Sequence, residues 1–200
     1  GQLALDGQLA TTSDGFLSRL ALSGTVADPS GAPVVLPVPG GATTIAGADI
    51  TVDFGGTATD GWTARAALRD FSNGALAARN VMIDATGIAA NLDDPAQRRL
   101  TFNADGRIDE ITSADPDITK ALGGSAGFGL AGLWTAGEPL KLAELRLVGK
   151  ALTLAVAGEV ADSVFNGRIG IETSSIAPFS GLAGRDLGGG MSLTATGTIS

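Results

Sequence analysis

The chain has 200 residues and a mass of 19.8 kDa, enough for one domain or two small ones and for a sizeable core. Its 44% hydrophobic and 17% charged content excludes a disordered chain, which is charge-rich and poor in aliphatic side chains. The thirty glycines lack the three-residue period of collagen, and a net charge of −8 speaks against nucleic acid and anionic membrane surfaces, both of which attract basic patches.

Cys and His are both absent. Disulfides, thiolate or imidazole metal sites, Ser-His-Asp triads and Cys-His pairs cannot be assembled. The expectation is a protein that is not an enzyme and carries no metal or cofactor.

Taken in chain order, the first elements are strands. Leu20, Leu22 and Val26 alternate with Arg19, Ala21 and Thr25, the two-residue period of a strand with one apolar face. Asp14-Gly15 precedes them as a hairpin turn. The stretch from Pro29 to Ala48 is uncharged and holds four prolines and four glycines. It predicts loop and edge strand rather than a membrane helix. Ile50, Val52 and Phe54 then alternate with Thr51 and Asp53. Turns are predicted at Asp60-Gly61 and Asn73-Gly74, and Leu100 and Phe102 alternate with Thr101 and Asn103 before a further turn at Asp105-Gly106.

Asp115 to Gly124 predicts a short helix, with Asp115 as N-cap, Pro116 at the first position and Gly123 at the stop. In the run Leu140 to Leu147 the leucine pattern slips by one residue, and a bulge or tight turn at Ala143-Glu144 restores the apolar face. Leu152, Leu154, Val156, Gly158 and Val160 share one face, as do Phe165, Ile169 and Ile171. A second short helix is predicted from Pro178 to Leu187. The total is roughly ten to twelve strands, joined by close hairpins and therefore antiparallel.

Leu22 to Asp28 is echoed by Val156 to Asp162, and more weakly by Ala85 to Asn91. Leu122-Gly-Gly and Leu187-Gly-Gly form another pair. These imperfect echoes, about 65 residues apart, point to a repetitive protein. Gly24, Gly158 and Gly197 lie inside strand patterns, which predicts a sheet that bends or is closely approached there. The chain begins at Gly1 and stops at Ser200 within a strand-like run, so residues 1–200 are read as a single β-rich segment of a longer repetitive protein.

Several motifs match in letters only. Gly123 to Gly127 fits the nucleophile-elbow spacing, but a helix precedes it and there is no histidine base. Gly127 to Gly132 fits the dinucleotide fingerprint without a strand–turn–helix context. Asn103, Asp105, Asp109 and Glu110 miss the calcium-loop spacing. Arg98-Arg99 reads as a solvated turn, and Trp62 and Trp134 as core residues.

The string from Ile176 to Ile199 resembles the helix-plus-strand module of the TamB family in the AsmA-like group. Pro116 to Gly124 followed by Leu130 to Trp134 resembles a second copy, and the Leu-Ser-Gly-Thr-Val-Ala-Asp style of Leu22 to Asp28 fits the same pattern. The resemblance implies a long sheet curled into a β-taco-like trough with an aliphatic lining. It implies a periplasmic location, an inner-membrane anchor outside this segment, and an outer-membrane barrel assembly partner of the TamA type. It also implies roles in outer-membrane protein assembly and in phospholipid transfer between membranes.

The residues add an argument of their own. Burying one Leu, Val, Ile or Phe contributes about 1.5–3 kcal/mol, and two short helices cannot cover ten strands. The sheet therefore closes into a sandwich or stays open over an apolar guest. The fold expectation is all-β: an elongated, mainly antiparallel sheet curled into a trough, with one or two short helices. Phospholipid acyl chains are expected along Leu20, Leu22, Val52 and Phe54, then Leu100 and Phe102, then Leu145, Leu147, Leu154, Val156, Ile169 and Ile171. Sheet edges are expected to continue into the rest of the chain. The alternatives are a platform that takes up barrel strands by β-augmentation, and a surface adhesin or β-solenoid, which predicts parallel coils.

Overall fold

The computed structural model describes residues 2–11, 13, 17–36, 43–55, 61–177, 180 and 184–199. The chain begins with β1 (Gln2–Thr11), β2 (Leu17–Ala27), the short pair β3 (Val34–Leu36) and β4 (Thr43–Ile45), and β5 (Gly47–Phe54). The middle is built from β6 (Gly61–Ser72), β7 (Leu76–Ala90), β8 (Arg99–Asp109), β9 (Thr112–Ser113) and the helix α1 (Pro116–Leu122). It continues through β10 (Ser125–Thr135), β11 (Leu140–Val148), β12 (Leu152–Ala161), β13 (Val164–Thr173) and β14 (Met191–Ile199).

All fourteen strands belong to one sheet, and every ladder among the described residues is antiparallel. Eleven of them run side by side in the order β1-β2-β5-β6-β7-β8-β10-β11-β12-β13-β14. Ten steps of about 4.8 Å make this ribbon about 48 Å long. The sheet is a single open one, curled into a trough, which matches the fold expectation and decides against the closed sandwich. The count exceeds the expected ten to twelve because β3, β4 and β9 are fragments too short to leave a periodic signature. The parallel coils of a solenoid are not found among the described residues.

The predicted helix is present with its expected caps. Asp115 accepts a hydrogen bond from the Asp117 N–H at 2.8 Å, Pro116 opens the helix, and Gly123 closes it at φ 77°. Two carbonyls at its C-terminal end, on Ala121 and Leu122, accept from the Ala151 and Lys150 N–H groups of the β11–β12 turn, each at 2.9 Å. Leu122 packs with Ile111 and Ala126 against Ile108, Leu147 and Leu152, so α1 closes one margin of the trough. Half of the second predicted helix, from Pro178 to Leu187, lies outside the described residues, as do the turn at Asp14-Gly15 and the first residue of that at Asp60-Gly61.

Of the other predicted turns, one is present and one is not. Asn73-Gly74 joins β6 to β7, and the Asn73 Oδ1 accepts from the Ala75 and Leu76 N–H groups. Asp105-Gly106 is not a turn: both residues sit mid-strand in β8, paired with β7 and β10. The apparent turn pair arises because an acidic residue on the outer face happens to precede a glycine on the inner one. The β12–β13 hairpin uses Asp162-Ser163 instead, both at positive φ (49° and 66°), the backbone of a two-residue turn. In β11 the predicted slip appears as a register shift against both neighbours, with Ala143 the extra residue.

The sequence echoes have a local cause. Gly24, Gly87 and Gly158 each lie on the inner face near a strand end, and each is followed by a turn residue: Asp28, Asn91 or Asp162. Strands β2 and β12 run in opposite directions in the sheet, so the echo marks how a strand ends rather than a stacked unit.

Candidate functional site: an apolar trough

Residues directly opposite in neighbouring strands share a face of the sheet, so the ladders define rows that run the length of the trough. The central row is Gly7, Leu22, Val52, Ala64, Ala85, Ala104, Leu130, Leu145, Val156, Ile169 and Ala195. On one side of it the row passes through Ile83, Gly106, Phe128, Leu147, Leu154, Ile171 and Leu193. On the other it passes through Leu20, Phe54, Trp62, Gly87, Phe102, Gly132 and Leu142. None of the three rows contains a charged side chain. The one polar hydrogen is the Trp62 indole N–H, which donates to the Thr101 carbonyl at 3.2 Å.

All twelve residues singled out from the sequence lie on this face. Leu22, Val52, Leu145, Val156 and Ile169 form the central row, Leu147, Leu154 and Ile171 one flank, and Leu20, Phe54 and Phe102 the other. Leu100 is one row further out, opposite Ala89 and Trp134. Eleven of the twelve are half-buried and only Phe54 is buried. Half-burial is what side-by-side neighbours in a single layer provide; a facing layer would complete it. The two most deeply buried side chains, Ile45 and Ala121, lie at the margins, and the small Ala104 in the central row is buried beneath its larger neighbours.

The opposite face is polar. Its central row includes Asp6, Ser23, Thr51, Arg65, Asp84, Asp105 and Arg146. Arg65 and Asp84 form an exposed ion pair at 2.9 Å, and Arg69 pairs with Asp49. Such exposed pairs contribute little stability and keep this side in water. Neither pseudo-motif has the context it needs: the elbow spacing follows α1 and runs into β10, and the fingerprint glycines lie within that strand.

The sequence reading missed part of the lining. Phe128 and Leu130 are at its centre, and their alternation with Gly127, Gly129 and Ala131 was obscured by reading the segment as a failed fingerprint. Trp62 and Trp134, expected as core residues, line a pocket on the inner face, whereas Arg98 and Arg99 lie where the β7–β8 loop enters β8, with Arg99 exposed, as expected of a solvated turn. Residues distant in sequence meet in that pocket, so no local pattern announces it.

Comparison of the chain with protein-family models, curated proteins and solved structures finds no match. The class of the protein therefore rests on its own geometry: a single-layer antiparallel ribbon with one uninterrupted apolar face. Among the described residues no helix is long and apolar enough to cross a membrane, and no group of acidic side chains is arranged to hold a metal ion.

Proposed function

We propose that this chain is a non-enzymatic segment of a TamB-like periplasmic protein, and that its trough carries phospholipid acyl chains between the inner and outer membranes in support of outer-membrane assembly. The observation that carries the reading is the uncharged inner face, three rows wide and eleven strands long, with no second layer over it among the described residues. Each acyl methylene taken out of water there gains about 0.8 kcal/mol. A chain that slides along the rows exchanges one aliphatic contact for another, so no step along the path requires a charge to be desolvated. Head groups stay at the open side in water.

A photo-crosslinking side chain at position 156, on the inner face, should capture phospholipid, and one at position 155, on the outer face, should not. Capture at neither position, with no phospholipid retained in native mass spectrometry, overturns the reading. One observation favours the β-augmentation alternative: β1 and β14 are exposed along their whole length and lack the prolines and lysines that blunt sheet edges. Binding of barrel-strand peptides, without lipid capture at position 156, selects that alternative.

A further inference from the structure

The two edges of the ribbon are not equivalent. Both β1 and β14 are exposed along their whole length, and among the described residues each pairs with a single neighbour, β2 or β13. β1 carries Asp6 near its middle. β14 has no charged residue and no proline, and its outer face holds only Ser192, Thr194, Thr196 and Thr198. Nothing in its sequence blunts that edge. A glycine shows what the edge lacks. Along the inner face Gly24, Gly87, Gly106 and Gly132 lie directly opposite Leu5, Trp62, Phe128 and Phe102, and each of those side chains fills the space that a Cβ would take. Gly197 lies on the same face of β14, opposite Gly167, and nothing stands within 4 Å of its Cβ position. A strand that completes this edge in the manner of the rest of the sheet brings a large apolar side chain to Gly197.

We propose that this strand is β14 of a second copy, paired antiparallel about a two-fold axis at Ala195. Eleven antiparallel strands leave β1 and β14 pointing the same way, so a contact of β14 with β1 of another copy would be parallel, unlike every described ladder. A two-fold axis normal to the sheet joins two copies of β14 antiparallel and keeps both apolar faces on one side. With Ala195 opposite itself, Leu193 falls on the partner's Gly197 and Met191 on the partner's Ile199. On the outer face Thr194 meets the partner's Thr196, and Ser192 the partner's Thr198, hydroxyl pairs that favour neighbouring strands. The same operation at β1, centred on Gly7, sets that glycine against its own copy. It also puts the two Asp6 carboxylates in diagonal positions on one face, where like charges repel. Pairing at β14 makes a ribbon of twenty-two strands, eleven from each copy, about 100 Å long, whose apolar rows run through the junction. At this edge it takes the place of the continuation into further chain expected from the sequence.

Sedimentation equilibrium of the chain should give a dimer that dissociates on dilution. The chain has no cysteine, so introduced thiols report the register. Ala195→Cys should crosslink to itself under mild oxidation, because residues directly opposite bring their Cα atoms within disulfide reach. Ser192→Cys and Thr198→Cys should each fail alone and should crosslink when the two are mixed and exchanged. Thr196→Lys, on the exposed outer face, should weaken the dimer about tenfold or more and leave the circular dichroism unchanged. Gln8→Lys, on β1, should leave the dimer intact. The inference is overturned by a monomer at every concentration, which leaves the edge to a strand of different sequence, or by assembly beyond the dimer. It is overturned equally by a dimer that Gln8→Lys dissolves and Thr196→Lys does not, or by one in which neither Ala195→Cys nor the mixed pair crosslinks. The pairing goes beyond the conduit reading and does not rest on it. Lipid capture at position 156 by a monomer removes the dimer and leaves the conduit; a dimer without capture does the reverse.

Discussion

At the scale of single residues, the inner face is shaped by glycines that seat aromatic rings. A Cβ on Gly106 would overlap the Phe128 ring and stand 2.6 Å from the Met82 carbonyl oxygen, and Gly132 and Gly87 meet the rings of Phe102 and Trp62 in the same way. Each ring lies flat over the neighbouring strand instead of standing into the trough, an arrangement that protects a glycine's backbone with a cross-strand aromatic. Gly106→Val should therefore lower stability by about 1–3 kcal/mol, the cost of overpacking a filled site. Chemical denaturation checks it, and combining the change with Phe128→Ala should cost less than the two singles summed, because the positions are in contact. Strict additivity would show that the ring is not seated on the glycine. A second residue-scale prediction concerns the β12–β13 turn. Ser163 holds φ 66°, where a Cβ is penalised by about 1 kcal/mol and glycine is not. Ser163→Gly should raise the melting temperature by a few degrees, of the order expected for that energy.

At the scale of elements, α1 is a short plug whose stability depends on its ends. A helix of seven residues does not persist alone in water. This one is held by the Asp115 cap and by the hydrogen bonds of Lys150 and Ala151 to its last carbonyls. Asp115→Ala should cost about 1 kcal/mol. Hydrogen exchange localises the effect: the Lys150 and Ala151 amides should lose protection, and strand amides of β2 and β5 should keep theirs. Uniform loss across the sheet would mean that α1 is integral to the fold rather than a local cover. The β11 bulge acts at the same scale. Without the extra residue at Ala143, Leu140 and Leu142 would face away from Leu145 and Leu147, since a slip of one residue reverses every side chain of a strand.

At the scale of the whole molecule, the inner face behaves as a surface and not as a core. Leu154 is half-buried and opens onto the trough, so an arginine there can extend its head toward water along its aliphatic stem. Leu154→Arg should leave the circular dichroism and melting transition close to those of the parent and should abolish phospholipid capture at position 156. Ala155→Arg, one residue along on the polar face, should change neither. Equal loss of capture in both variants would indicate a general disturbance of the sheet. The exposed aliphatic residues of the two edge strands, including Leu5, Leu9 and Leu193 at 55%, 68% and 53% exposure, carry the apolar rows to both ends of the ribbon.

The features legible from the amino-acid order alone are local. Period-two alternation assigned Leu154 and Val156 to one face and Ala155 to the other, because a strand turns its side chains through half a circle at each step. Asp115, Pro116 and Gly123 marked a helix through chemistry confined to its own ends, and the missing histidines removed whole classes of catalysis without reference to any fold. The features that required the assembled sheet are non-local. Asp105-Gly106 resembles a turn until Phe128, twenty-two residues away, comes to rest over Gly106. Trp62 and Trp134 resemble isolated core residues until strand register brings them to one pocket on the open inner face. Register between strands depends on the sum of every turn length and bulge before it, and that sum turns separate apolar faces into three continuous rows and leaves them open to solvent.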